Sequence, residues 1–332
     1  MNPLRSQFVS GLTRRIPGAL AASLLALTAG AASAQDTFPG LQPVELVVIF
    51  PAGSSADVGA RILADGMAQN LGTAVPVSNK PGAGGAIGYK FVAATKPDGH
   101  TLVWNSNSVS TTFHSGMMNI DYTAFDPVAR ATIEIPAVVV RASSPWKTLQ
   151  DLIDYARIHP GTLTVGNSGV GSHTHMAAVS LFEATGTKVL HVPFGSAQVV
   201  TSLLGGHVDA VVQLPGAVVP HVTSGALRVL AVLGSRRDPV FPNVATAKEQ
   251  NIEVAPMDLW RGVAVAKGTP KEIVARLEKA VESALKRPEF VSAGQKFGFL
   301  PAFLPAAEFA KVIERDDAMI ARQITLLQVL TK

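Results

Sequence analysis

Val44-Glu-Leu-Val-Val-Ile-Phe50 runs directly into Pro51-Ala-Gly-Ser-Ser-Ala-Asp57, and Gly161-Thr-Leu-Thr-Val-Gly166 runs directly into Asn167-Ser-Gly-Val-Gly-Ser172. Each stretch spells a buried strand, then a Gly/Ser turn, then the start of a helix. Such a turn presents backbone N–H groups and the positive end of a helix dipole. It is a socket for an anion that needs no Lys or Arg. Two such sockets facing each other would hold a small molecule with carboxylates at its ends.

Around these two units the same alternation continues. Leu63, Met67 and Leu71 recur at helical spacing, and Gly72 follows as a stop signal. Val75–Ser78 and Thr101–Trp104 read as strands, with a Gly-rich bend at residues 79–88 and a Pro97-Asp98-Gly99 turn between them. Ala137–Arg141, Val189–Val192, Val208–Val212, Leu227–Leu233 and Gly262–Ala266 read as further strands. Helices are expected over 149–158, 172–185, 197–204, 218–223, 271–285 and 306–330. Strand–helix alternation of this kind predicts α/β architecture with mainly parallel sheets.

Composition narrows the classes further. Arg5, Arg14 and Arg15 precede a small, apolar run from Gly18 to Gly30, and Ala32-Ser33-Ala34 supplies a cleavage site. Residues 1–34 therefore read as a secretory signal peptide cut after Ala34, because the apolar run is too short to span a bilayer. Gln35 rather than Cys follows the cut, so no lipid anchor is indicated. The leader holds three arginines and no acid, so the formal charge of +4 falls to about +1 once it is gone. No basic cluster interleaved with aromatics remains, which argues against nucleic acid as a partner. Cysteine is absent, which removes disulfides, thiolate nucleophiles and Cys-based metal sites together.

Three motifs invite other chemistry. His173-Thr-His175 has the look of a metal pair, but it enters a helix, where side chains two apart diverge. No metal or other cofactor is expected. Ser168 and Ser172 suggest a hydrolase, yet neither has the flanking glycines of a nucleophile elbow: Val170 stands two after Ser168, and Val170 and Thr174 flank Ser172. Gly82-Ala-Gly-Gly-Ala-Ile-Gly88 misses a dinucleotide fingerprint by one place, since Ile87 stands where the third Gly belongs. Asp57 and Asp209 each admit two readings, a helix- or strand-end acid or a group that orients a ligand.

The ordered set of motifs resembles the Bug family, the periplasmic solute-binding proteins of tripartite tricarboxylate transporters. Phe50-Pro-Ala-Gly-Ser-Ser-Ala-Asp-Val-Gly-Ala-Arg61 resembles its first ligand loop, and Asn79-Lys-Pro-Gly-Ala-Gly-Gly-Ala-Ile-Gly88 its Gly-rich signature. Pro97-Asp-Gly-His-Thr-Leu102, Gly169-Val-Gly-Ser-His-Thr-His-Met-Ala177, His191-Val-Pro-Phe194 and Leu203-Leu-Gly-Gly-His-Val-Asp209 follow in the family's order. Trp260-Arg-Gly-Val-Ala264 and Gly268-Thr-Pro270 resemble its late return segment.

The resemblance implies a two-domain periplasmic-binding-protein fold, a type II-like Venus flytrap with two chain crossovers. Its domains would be residues 35–137 with 260–332, and residues 138–259, with the ligand cleft between them. Carried over position by position, it implies Ala52, Gly53, Ser54, Ser55 and Asp57 as ligand contacts from the first loop. Asn105 and Ser108 would add a third strand end, and Ser168, Gly171, Ser172, His175, Phe194 and Asp209 the second domain. The partners implied are a small carboxylate or related solute and the membrane permease subunits of a tripartite transporter. A monomer suffices for one-to-one capture.

Ser54 and Ser55 depart from the family's usual Gly, Lys80 from Arg and His100 from Tyr. The segment after Phe194 is one residue short, which opens the alternative of a neutral or aromatic ligand. Two other outputs stay open on residues alone: a ligand-presenting adaptor for a sensor kinase, and a hydrolase using Ser168 or Ser172 with His175.

Overall fold

Val44, Leu46, Val47 and Val48 are fully buried, because strand β1 (Glu45–Val48) is an interior strand covered on both faces. The structure is a computed structural model, and it describes residues 38–195 and 198–330. The signal-peptide reading falls outside the described residues. The chain continues through α1 (Ser55–Leu71), β2 (Val77–Asn79), α2 (Ala86–Ala93), β3 (Thr101–Ser106), α3 (Ser108–His114) and β4 (Phe125–Glu134). A second series follows: β5 (Ala137–Arg141), α4 (Leu149–Ile158), β6 (Thr164–Asn167), α5 (His173–Ala184), β7 (Leu190–Pro193), α6 (Val199–Leu204), β8 (Ala210–Gln213), α7 (Pro215–Thr223) and β9 (Leu227–Val232). The chain then returns through β10 (Leu259–Ala266), α8 (Lys271–Leu285), α9 (Pro288–Phe297), β11 (Leu300–Pro305) and α10 (Ala306–Leu330).

Two sheets result, ordered β11-β4-β10-β3-β1-β2 and β7-β6-β8-β5-β9. The passage from β4 to β5 and the return from β9 to β10 are the two crossovers between them. Both sheets are mixed rather than mainly parallel. The β1–β2, β1–β3, β6–β7 and β6–β8 pairs are parallel, whereas β10 is antiparallel to β3 and β4, and β5 is antiparallel to β8 and β9. The antiparallel pairs involve the strands that flank the crossovers, which enter a sheet from its far end.

Local signals explain most boundaries. Ser54 caps α1 by accepting from the Asp57 N–H, and Gly72 ends it in the left-handed conformation (φ 74°) with its N–H bonded to the Ala68 carbonyl. Thr148 and Asp151 form a reciprocal capping box on α4. Four elements were not legible in the sequence: α3, β4, α9 and β11. Strand β4 carries Asp126, Pro127, Arg130, Thr132 and Glu134 among its apolar residues, and β11 begins and ends near prolines, as an edge strand can.

One apolar cluster runs from Val47, Ile49 and Tyr89 through Ile135 and Ala137 to Val139 and Val211, so the core is continuous through the first crossover. A second, around Leu63, Met67, Trp104 and Val281, fills the other face of the first sheet. A third, around Trp146, Met176 and Phe182, fills the other face of the second. Helix α10 joins two of them: Phe309 and Ile313 lie in the first cluster, Ile320, Ile324 and Leu327 in the third. Gly262 permits this close approach. A Cβ there would lie 2.5 Å from a Phe309 ring carbon and 2.6 Å from the Ala129 carbonyl oxygen.

Candidate functional site

Strands β1, β3, β6 and β7 end at one kind of edge, where loops open before helices. This is where ligands bind in α/β sheets. The first loop, residues 50–54, is held from behind by Asp57. Its Oδ2 accepts from the Gly53 N–H at 2.9 Å and from Arg61 Nε at 3.0 Å, and its Oδ1 accepts from Asn79 Nδ2 at 2.8 Å. Asn79 Nδ2 also donates to the Phe50 carbonyl at 3.0 Å. Burial is the largest influence on Asp57 and acts to raise its pKa, but the Arg61, Gly53 and Asn79 hydrogen bonds together hold it below the ordinary value. The Asp57 carboxylate therefore fastens the loop, and Gly53's N–H is spent on it. Ala52 and Gly53 are exposed at the loop tip, and Ser54 is half-buried. Ser55 begins α1, and its side chain lies outside the described residues.

The second loop is likewise tied by its own side chains. Ser168 N–H donates to Thr174 Oγ1 at 3.0 Å, Gly169 N–H to Asn167 Oδ1 at 3.1 Å, and Gly171 N–H to His175 Nδ1 at 3.1 Å. Ser172 caps α5, its Oγ accepting from the His175 backbone N–H at 3.2 Å. Gln213 Nε2 donates to Ser168 Oγ at 3.0 Å. These bonds bear on the hydrolase alternative. The His175 ring faces the Gly171 amide rather than a serine hydroxyl, and the Ser168 hydroxyl is held by an amide, not a base. The His175 ring also packs edge-on against His191, with centroids 5.1 Å apart. Burial, and secondarily the neighbouring His191, pushes His175 down to about 4, so it is neutral at pH 7.

His173 diverges from His175. Its Nε2 lies 2.6 Å from the Met257 carbonyl oxygen on the return segment. Burial drives it to about 4 against the opposing Met257 contact. Among the described residues no group of three or more His, Cys, Asp or Glu is placed to hold a metal ion.

A third polar centre sits at the end of β3. The buried Tyr89 hydroxyl donates to Asn105 Oδ1 at 2.9 Å and lies 3.0 Å from Ser108 Oγ, which in turn is 2.7 Å from Ser106 Oγ. Burial pushes Tyr89 up to about 12, which keeps this hydroxyl a donor. Phe194 follows β7, its N–H bonded to the Asn167 carbonyl at 3.0 Å and its ring beside Gly166.

Asp209 does not join the loop residues. It precedes β8, and its Oδ2 accepts from the Thr164 N–H at 2.9 Å and hydroxyl at 2.7 Å. Thr164 starts β6, which runs parallel to β8. Asp209 therefore lies at the amino edge of the strands, opposite the loops, and stitches two strand starts together.

Sequence reasoning also missed residues that the fold brings to the loop edge. Arg261, in the first half of β10, pairs with Ser106, with its guanidinium over the Phe50 ring at 5.3 Å and its Nε 3.0 Å from Glu134 Oε1. Asn107 bonds both the Trp260 N–H and Asp316, at 2.8 and 3.2 Å, tying β3 to β10 and α10. No local sequence signal marks these pairs, since Glu134 and Arg261 lie in strands far apart in the chain. Residues 59–329 match the family described as "Tripartite tricarboxylate transporter family receptor". The chain is 34% identical over 316 residues to the "UPF0065 protein in gbd 5'region" of Cupriavidus necator, covering 92% of this chain and 94% of that one. Among solved structures it is similar to a TctC solute-binding protein from Polaromonas: 36% identity, TM-score 0.79, 87% of this chain and 99% of that one. It is also similar to MatC from Rhodopseudomonas palustris with bound malate, at 28% identity and TM-score 0.71, over 86% and 100% of the chains. An R. palustris protein with adipate gives 27% identity and TM-score 0.74, over 87% and 98%.

Proposed function

We propose that this chain, which belongs to the tripartite tricarboxylate transporter receptor family, captures a small carboxylate between its two lobes and delivers it to a membrane permease. Membership makes it a solute-binding receptor of the periplasmic type. The observation that carries the proposal is the pairing of two capped loop-to-helix turns, at Ser54 and Ser172, each opening at the carboxyl edge of its own sheet. Malate and adipate occupy two proteins of this fold, which supports an acid as the ligand here.

In this reading the lobes divide near Ala137 and Trp260, and closure brings the loops onto the solute. Contacts available only in the closed state shift the equilibrium toward it. In this reading Ala52, Ser54, Ser55, Asn105, Ser108, Ser168, Ser172, His175 and Phe194 contact the solute. Asp57, Gly53 and Gly171 shape the loops. The chain would be exported, with residues 1–34 removed.

The test is a thermal-shift screen of residues 35–332 against small carboxylates including malate and adipate, amino acids, nicotinate-type aromatics and neutral amides, followed by calorimetry. A ligand at roughly a hundred times its Kd adds about 2.7 kcal/mol of stability. Binding of an acid, recovered unaltered by mass spectrometry, is the expected result. Binding of amides alone, or conversion of the ligand, would overturn it.

A further inference from the structure

Both loops have already spent donors that a carboxylate would need. The N–H groups of Gly53, Ser168, Gly169 and Gly171 donate to side chains of the loops' own neighbourhood. With these four committed, a donor from elsewhere at this edge would add to what the helix starts offer.

Arg261 is placed to be that donor. It pairs with Ser106 at the end of β3, and β10 runs antiparallel to β3 and β4. Its position is therefore the edge at which β1, β3 and β4 end and the loops begin. The residue is only 8% exposed. It lies over Phe50, the residue that opens the first loop. Paired with Ser106 and lying over Phe50, it stands between the first loop and the polar centre at the end of β3.

Its bonding is incomplete. A structural Arg–carboxylate pair in a protein interior is commonly bidentate. Here Glu134 is met through Nε alone, at 3.0 Å. Nη1 is buried and has no hydrogen-bond partner among the described residues. A buried charged donor left without an acceptor is unfavourable, and an arriving oxygen at this edge would relieve it.

We propose that Arg261 is the specificity-determining cation of this site, with Nη1–H donating to a carboxylate oxygen of the solute while Glu134 fixes the guanidinium and offsets its charge beforehand. The inference rests on the capture reading of the preceding section. It adds that one side chain beside the two helix starts sets the preference for an acid over the corresponding amide.

The experiment titrates the tightest-binding acid of the screening panel, and its primary amide, into wild type, E134Q, R261Q and the pair R261Q/E134Q. R261Q alone leaves a buried carboxylate unpaired and is expected to be unstable. The double variant removes both charges and carries the test, with folding checked by thermal melt. It should bind the acid about ten- to a hundred-fold more weakly and lose its preference for acid over amide. E134Q should bind the acid several-fold more tightly, because the arginine charge is no longer offset, a gain that a purely structural pair would not give. An unchanged acid-to-amide preference in the folded double variant, or weaker acid binding in E134Q, would overturn the assignment while leaving the capture reading intact. A wild type that binds no acid of the panel would overturn the capture reading, and this inference with it.

Discussion

Asp57 Oδ1 accepts a hydrogen bond from Asn79 Nδ2 at 2.8 Å, joining two sequence motifs that are 22 residues apart. The first loop and the Gly-rich bend are thereby one structural unit. Asp57→Ala removes the acceptor for Gly53, Asn79 and Arg61 at once. It should weaken binding of the screened acid by about tenfold or more and lower the melting temperature, since each unsatisfied partner costs about 1–3 kcal/mol where it is buried. Calorimetry beside a thermal melt checks this; unchanged affinity would show that the loop does not touch the solute.

Ser172→Ala deletes the cap of α5. A lost cap costs about 1 kcal/mol, a modest fall in melting temperature with the fold retained. Affinity for the acid should fall as well, because the loop from Ser168 to Ser172 is organised by the same hydroxyl. Circular dichroism with titration separates the two effects.

The buried histidines set a pH dependence. His175 stays neutral in the folded protein down to about 4, whereas an unfolded histidine protonates near 6.5. Between those values the unfolded state binds more protons, so stability falls as pH drops, by about 1.4 kcal/mol per pH unit for this residue. Below about 4 its contribution levels off. Burial raises Asp238, Asp258 and Asp316, which act in the opposite sense, so the informative quantity is a difference. His175→Asn should flatten the stability–pH slope between about 4 and 6.5 relative to wild type, as read from denaturant melts.

Helix α10 ties the clusters of the two sheets. Ile320 is 1% exposed within the cluster on the second sheet. Ile320→Ala should cost about 2–5 kcal/mol. Equal stability of variant and wild type in urea would show that the end of α10 does not hold the second sheet.

Much of this was legible in the sequence, and the limits have physical causes. Continuous apolar runs such as Leu46–Phe50, and Gly72 as a helix stop, disclose strands and helices because those signals are local. Strand β4 was not legible, because Arg130, Thr132 and Glu134 interrupt its apolar pattern; Glu134 meets Arg261 of β10 and Arg130 the Ala302 carbonyl of β11, partners far away in the chain. The loops were legible, but not which of their donors are committed to side chains of the protein itself. Whether the Gly171 N–H is free depends on where the His175 ring turns, and whether Asp209 meets a ligand depends on which end of β8 faces the loops.

Capture between two lobes is tested most directly by hydrogen–deuterium exchange of residues 35–332 with and without the bound acid. Protection should rise together in residues 50–57 and 167–175, the two loops on different sheets. Protection in one loop only would contradict the account. So would protection centred on the cavity of about 570 Å3 lined by Leu233, Gly234, Lys248 and Pro256, whose lining includes no residue of either loop.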